Sequence, residues 1–295
     1  MMKHTGTRRG SKGWIAALMV VLMLISAGCA KSNTSGAAEP DTSSNAGNEG
    51  AAVEQEVTLK VATLIPPMTD MLELIKPLLK EDGIDLELVV LSDNVQPNDA
   101  LADKEVDANF FQHVPYMKEY NASKGSNLVA IQPVYHAVYG VYSKRYKSMD
   151  ELPDGAVVAV ANDSTNLGRS LVMLEKAGYI KLKDGVGIKA TVADVTENPH
   201  NFKFEEVDLL MLARMLDDAD IALMTPAYAS PLGLTPKKDA LLTETTESEF
   251  AITLVAREDN KDSEPIRKLA ERLSGPEVKQ FLEDNYSEIA IPAFE

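Results

Sequence analysis

From residue 57 onward, short apolar runs with strand-like alternation take turns with stretches of helical periodicity, and no internal repeat breaks the pattern. Strands are expected at 57–63, 85–91, 106–109, 156–161, 202–207, 220–224 and 251–257. Helices are expected at 68–80, 97–102, 113–123, 165–177, 209–216, 262–273 and 275–284. A longer β-rich stretch spans 128–143, with Pro133 inside it. Strands that alternate with helices bury their faces most simply as an α/β fold with mainly parallel sheets. The long stretch suits a segment that crosses between two lobes, and 251–257 suits a return to the first. Open α/β sheets take ligands beyond the carboxyl ends of their strands, where helices start. Three such junctions are legible, at 109–116, 161–169 and 224–228.

The middle junction, Asn162-Asp163-Ser164-Thr165-Asn166-Leu167-Gly168-Arg169, follows an apolar run and opens a helix. Ser164 or Thr165 can cap it, since a hydroxyl accepts a bond from an otherwise orphan N–H. Free N–H groups and a partial positive charge make such an end attractive to anions. Asn166 and Arg169, three apart, share one face of the first turn, and Arg169 can clamp a carboxylate through paired hydrogen bonds. An ordinary capped helix with a solvated arginine accounts for the same residues.

Ahead of the folded part, Lys3, Arg8, Arg9 and Lys12 form a basic leader, and 14–25 an apolar core short for a membrane span. Ser26-Ala27-Gly28 then precede Cys29, which resembles a bacterial lipobox with Ser26 in place of its usual leucine. Residues 1–28 are therefore expected to be a lipoprotein signal peptide, with Cys29 lipidated and the folded part outside the cytoplasmic membrane. Residues 29–56, rich in Ser, Gly, Ala, Asn and Glu, are expected to be a flexible tether. The net charge is −16, from 29 basic and 45 acidic residues, and the four leader cations lie before Cys29. That balance argues against a nucleic-acid partner, which needs a basic footprint. Cys29 is the only cysteine, so no intrachain disulfide or cysteine-rich metal site is expected.

The second informative stretch is Asp107-Ala108-Asn109-Phe110-Phe111-Gln112-His113-Val114-Pro115-Tyr116. Aromatics leaving a strand, then His and Tyr at helical spacing, can wall an apolar pocket with a polar tip. Neighbours on a strand face opposite ways, so one phenylalanine of the pair is expected in the core. His113 and His136 lack any metal-binding spacing, and G-x-S-x-G is absent. Neither a metal, a cofactor nor an enzyme is expected.

Several strings resemble the methionine-binding lipoprotein (NlpA-type) family: D-A-N-F-F-Q-H-V-P-Y-M, N-D-S-T-N-L-G-R-S-L, G-Y-I-K-L-K-D-G-V-G-I-K-A-T-V-A-D-V-T-E-N-P, L-D-D-A-D-I-A-L, S-D-N-V-Q-P-N-D-A-L-A-D-K-E-V-D-A-N and the ending I-A-I-P-A-F. The likeness runs in order from about 57 to 294. It implies a two-lobed periplasmic-binding-protein-like (type II) α/β fold with a ligand cleft between lobes, and delivery of a small amino acid to an ABC importer permease. Lobe 1 is expected at 57–138 plus 247–295 and lobe 2 at 139–246, with hinges near 138–142 and 246–250. The family's apolar pocket matches Phe111, His113 and Tyr116, and its carboxylate clamp matches Asn166 and Arg169.

This chain departs from the family in three places. Asn94 replaces a tyrosine. Thr225-Pro226-Ala227-Tyr228 replaces N-G-N-Y, whose asparagines help hold the ligand's polar end. Tyr135-His136-Ala137-Val138-Tyr139-Gly140 replaces Y-V-E-P-M-G. Losing partners for a buried ammonium costs roughly 1–3 kcal/mol each. The expectation is that methionine binds weakly or not at all, and that another small carboxylate takes its place. Tyr139 joins the expected side-chain wall, and Thr225 and Tyr228 supply the remaining polar contacts. Replacing Arg169 by alanine is expected to abolish binding and leave the fold intact. An interaction or adhesin lipoprotein on the same fold, without a transport role, is the alternative.

Overall fold

The computed structural model describes residues 56–245 and 249–295; the expected signal peptide, Cys29 and all of the expected tether but Glu56 lie outside them. The chain starts with β1 (Val57–Thr63), α1 (Met68–Glu81), β2 (Ile84–Val90), α2 (Gln96–Ala102), β3 (Ala108–His113), α3 (Val114–Lys124) and β4 (Leu128–Ala137). It crosses to β5 (Gly140–Tyr142), β6 (Val157–Ala161), α4 (Ser164–Lys176), β7 (Lys181–Leu182), β8 (Val195–Glu197), β9 (Lys203–Val207), α5 (Leu212–Met215), β10 (Ile221–Met224), α6 (Pro226–Ala229), α7 (Pro236–Asp239) and β11 (Ala240–Thr243). It returns through β12 (Ala251–Arg257), α8 (Glu264–Leu273), α9 (Pro276–Asn285) and β13 (Ala290–Pro292).

Two sheets carry the fold, one ordered β13-β4-β12-β3-β1-β2 and the other β11-β5-β10-β6-β9. Each is buried on both faces. In the first, Val61 and Leu254 face the helices α1, α8 and α9, while their neighbours Ala62 and Val255 face α2 and α3. In the second, Val158, Val160 and Leu223 pack against Leu167, Leu171 and Leu174 of α4, while Ala159 and Ala222 face Leu212 of α5. Period-two alternation of apolar residues on both faces makes these strands read as unbroken apolar runs.

The expectation of mainly parallel sheets is corrected. Among the described residues, four strand pairs are parallel. Six are antiparallel. The cause is the route of the chain. β4 leaves the first sheet and β12 comes back into it, running against both β3 and β4. The 128–143 stretch is likewise two strands: β4 ends at Ala137, and after Val138 and Tyr139 β5 begins in the other sheet.

The chain crosses between the sheets twice, once through Val138–Tyr139 and once between β11 and β12. β4 and β12 are neighbours in the first sheet, and β5 and β11 are neighbours in the second. Both crossings therefore lie side by side, at one edge region of each sheet.

Candidate ligand site

A local irregularity builds the first wall of the cleft. Phe110 pairs with Leu254 and Gln112 with Thr253, so Phe111 has no partner in the register of β3 and β12. Such a bulge re-aims a side chain. Phe110 stays in the core, edge-on to Tyr135 at 6.3 Å. Phe111 turns into a cavity, edge-on to Tyr116 at 6.0 Å. Beneath it Asn98, Asn109 and Gln112, all buried, bond to one another: Asn98 Nδ2 donates to Gln112 Oε1 at 2.9 Å, and Gln112 Nε2 donates to Asn109 Oδ1 at 2.9 Å. Three interlocked amides fix the bulged end of β3, since each would cost energy if left unpaired.

β3 ends in His113, which caps α3: its Nδ1 accepts the Tyr116 backbone N–H at 3.2 Å. That bond leaves the proton on Nε2, which donates to Asn166 Oδ1 at 3.3 Å across the cleft. Burial, with the positive charge of Arg169 added, pushes the His113 pKa down to about 3, so the ring is neutral. The cap of α4 is Asp163, one place before the expected Ser164 and two before the expected Thr165. Its Oδ1 accepts the Asn166 N–H at 2.9 Å, and Asn166 Nδ2 donates back to Asp163 Oδ2 at 3.0 Å. Carboxylate caps serve as well as hydroxyls, and this one orients the Asn166 amide at the same time. The amide is thus engaged at both ends, by His113 and by Asp163.

Arg169, one turn on, is buried with a side chain 1 % exposed. Its guanidinium lies between the rings of Tyr139 and Phe250, at 4.3 and 4.4 Å from their centres. Glu244 accepts from Nε at 3.1 Å and from Nη2 at 2.5 Å, and the Ala137 carbonyl lies 3.4 Å from Nη2. Among the described residues, Nη1 of Arg169 is the one buried guanidinium nitrogen without a hydrogen-bond partner. Tyr139 belongs to the first crossing, and Glu244 and Phe250 to the second, so one side chain of α4 grips both.

The cavity between the sheets has a volume of about 50 Å³. Phe111, His113 and Tyr116 line it from the first sheet's side, and Asn166, Thr225 and Tyr228 from the second's. Tyr139 and Arg169, placed in the same wall by the sequence, are not in its lining. Tyr139 is fully buried, its hydroxyl donating to the Leu223 carbonyl at 2.9 Å, and it serves as a platform for Arg169. Arg169 sits behind Ala137, which does line the cavity. Asn94 joins the two sides: its carbonyl accepts the Tyr116 hydroxyl at 3.0 Å, and its Oδ1 lies 3.5 Å from the Tyr228 hydroxyl. Burial raises the Tyr228 phenol to about 12 and the Tyr116 phenol further still, so both remain protonated. Apolar lining comes from Ile65, Met68, Tyr135, Leu209, Ala227 and Ile252. No Asp, Glu, Lys or Arg is among the lining residues.

Sequence reasoning missed Glu244 and Phe250, because nothing local marks a residue whose partner lies about 80 positions away. It also missed Ile65, Met68, Leu209 and Ile252, which carry only the apolar signal of any core residue. Among the described residues no group of three or more His, Cys, Asp or Glu side chains is placed to hold a metal.

The model of the NlpA lipoprotein family matches residues 59–294. The D-methionine-binding lipoprotein MetQ of Escherichia coli K12 is 46% identical over 223 residues, 75% of this chain and 82% of that protein. A nutrient-binding protein of Burkholderia cenocepacia, solved bound to methionine, superposes with a TM-score of 0.78 at 37% identity, covering 80% of this chain and 100% of that one. A periplasmic substrate-binding protein of an ABC transporter from Coxiella burnetii gives 0.76 at 38% identity over 80% and 100% of the two chains.

Proposed function

The chain belongs to the NlpA lipoprotein family, and on that premise we propose that it captures one small carboxylate between its sheets and delivers it to an ABC importer permease. It does so outside the cytoplasmic membrane, tethered through a lipid on Cys29. Residues 57–138 with 247–295 form one lobe and 139–246 the other, and they close by bending at the two crossings, at 138–142 and at 246–250, of which 246–248 lie outside the described residues. Closure gives the importer a conformation to recognise.

The observation that carries this reading is the interior cavity lined from both sheets; Arg169, whose Nη1 has no hydrogen-bond partner, stands outside that lining behind Ala137, and a ligand carboxylate has to reach past Ala137 to meet it. A buried donor without an acceptor is costly, and a ligand carboxylate would relieve that cost. Glu244 keeps 17 % of its side chain exposed, so water still screens it and the guanidinium can serve a second anion. Asn166 and Arg169 take the carboxylate, Phe111, His113 and Tyr116 surround the ligand's side chain, and Thr225 and Tyr228 supply the remaining polar contacts.

Relatives are named for methionine, but the amine end of the site is altered here. The cavity lining holds no carboxylate, and Ala137, Thr225 and Ala227 stand at its wall. A buried ammonium there would have no ionic partner. Methionine is therefore a weak ligand or none, and a related carboxylate is preferred.

A thermal-shift screen of the purified protein, refolded to strip any bound ligand, tests this. Binding to the native state raises the melting temperature by mass action. Amino acids, methionine derivatives, small peptides and simple carboxylates form the panel, and a clear shift with a carboxylate other than methionine is expected. A response confined to methionine would refute the altered amine end. A flat panel would refute solute binding and favour an interaction lipoprotein on the same fold.

A further inference from the structure

The end of β3 that faces the cavity is held less by its ladder than by side chains. On one side, the pairing of β3 with β1 stops at Asn109, opposite Ala62. On the other, Phe111 has no partner in β12. The backbone of 110–113 is thus paired with one strand only, across a bulge, although Phe111, Gln112 and His113 all line the cavity. Buried polar side chains make up the difference. The Thr63 hydroxyl donates to the Phe110 carbonyl at 3.0 Å, where β1 no longer pairs. The three amides under the bulge close into a ring in which every member both donates and accepts. Asn98 Nδ2 donates to Gln112 Oε1 at 2.9 Å, Gln112 Nε2 to Asn109 Oδ1 at 2.9 Å, and Asn109 Nδ2 to Asn98 Oδ1 at 2.8 Å. Two further bonds brace it, from Gln112 Nε2 to Asn98 Oδ1 at 2.5 Å and from Asn109 Nδ2 to the Pro97 carbonyl at 3.1 Å.

The ring joins two elements. Asn109 and Gln112 belong to β3, and Asn98 to the first turn of α2. The turn before α2 carries Asn94, which accepts the Tyr116 hydroxyl and faces Tyr228. That turn is itself tied down, since Asp93 Oδ1 accepts the N–H groups of Val95 and Gln96, both at 2.8 Å. We propose that Asn98, Asn109 and Gln112 are positioning residues of the ligand site. Their ring makes the bulged end of β3 and the start of α2 one body, and so sets where Phe111, His113 and Asn94 stand in the cavity wall. Gln112 lines the cavity, but its amide is spent on the ring at both ends. Apolar side chains would fill the same space without the risk of unpaired amides, but apolar contacts tolerate slippage that directional hydrogen bonds do not. Because each donor's acceptor is another member, loss of one amide leaves the other two underpaired. The use of this wall by a ligand rests on the solute-binding reading above; the positioning itself is testable without ligand.

The test is histidine-selective and aromatic NMR of the purified, unliganded protein, in the wild type, in Asn98→Leu and in Leu79→Ala. Asn98 lies outside the cavity lining, and leucine keeps its size while removing every ring bond it makes. Leu79 is a core residue of α1, also outside the lining, and serves as a control that destabilises without touching the ring. In the wild type the His113 ring should stay neutral from pH 7 to pH 5, with its proton on Nε2, and the Phe111 and Tyr116 rings should show their edge-on Overhauser contact. In folded Asn98→Leu the His113 titration should rise by about two units, into that range, as water reaches the loosened wall, and the ring contact should fade. Leu79→Ala should lower the melting temperature and change neither signal. Asn109→Leu replaces Asn98→Leu if the latter does not fold. Unchanged His113 and ring signals in the folded ring variant, or the same changes in Leu79→Ala, would overturn the proposal and reduce the ring to ordinary core structure. These outcomes are independent of the thermal-shift panel, whose failure would overturn solute binding alone.

Discussion

Arg169 has a structural job besides the ligand contact proposed for it. Its Nε and Nη2 hold Glu244, its flat faces carry Tyr139 and Phe250, and only Nη1 remains for a ligand. Truncating one partner of a buried pair strands the other. Arg169→Ala should therefore lower stability by about 3 kcal/mol in urea denaturation, besides abolishing binding. The expectation that the fold would survive this change untouched is accordingly revised; an unaltered denaturation midpoint would reinstate it. His113 supplies a second prediction. Its pKa falls to about 3 in the folded state, so between there and the ordinary value near 6.5 the unfolded chain binds the extra proton. The contribution is complete above pH 6.5 and is lost as the pH drops, at up to about 1.4 kcal/mol per unit for each such histidine. Burial lowers the His136 pKa as well, so it acts in the same direction. Melting temperatures should decline from pH 7 to pH 5, and His113→Gln should flatten that decline.

At the scale of elements, α4 is positioned by its closest contact. A methyl group on Gly168 would lie 1.9 Å from the carbonyl oxygen of Ile188, in the turn Gly187–Lys189 that packs on the helix. Backbone cannot yield there as a flexible side chain would. Gly168→Ala should cost about 2 kcal/mol, in the range of overpacked sites, and weaken ligand binding by moving Asn166 and Arg169. Urea midpoints and titration would read the two effects separately. Elements of this kind were largely legible: β12 falls on its expected residues, and α1, α3 and α4 lie within a residue of theirs. Their apolar periodicities are set by burial on a single face or on both. What was not legible depended on distant partners. The break at Val138–Tyr139 exists because the two halves of one β-rich stretch join different sheets. The bulge at Phe111 exists because β12 is one residue short opposite it. Asp163, not Ser164 or Thr165, is the cap, and its carboxylate also holds the Asn166 amide.

For the whole molecule, the two crossings set how it can move. β2 and β9 stand at the sheet edges farthest from them, so a bend at the crossings displaces those strands most. Residues 57–295 contain neither cysteine nor tryptophan, which makes site-specific labelling clean. Dyes on cysteines at Glu87 of β2 and Glu205 of β9, both exposed, should approach each other when ligand is added. An unchanged transfer efficiency at saturating ligand would argue for a site that fills without closing. Six of the eight residues chosen from the sequence line the cavity, because motif and resemblance select residues that leave strands toward the cleft. Tyr139 and Arg169 lie outside the lining since the crossings claim them.

The second sheet begins and ends between β4 and β12, and both ends of the described fold, β1 and β13, belong to the first. Topologically, everything from β5 to β11 is an insertion with two closely spaced junctions. It carries Asn166, Arg169, Thr225 and Tyr228, whereas Phe111, His113 and Tyr116 stay with the host. A recombination event at those two junctions would exchange half of the proposed binding site as an intact unit. Ligand preference in such a chain is inherited in two separable parts, and a family built this way can diversify by shuffling them.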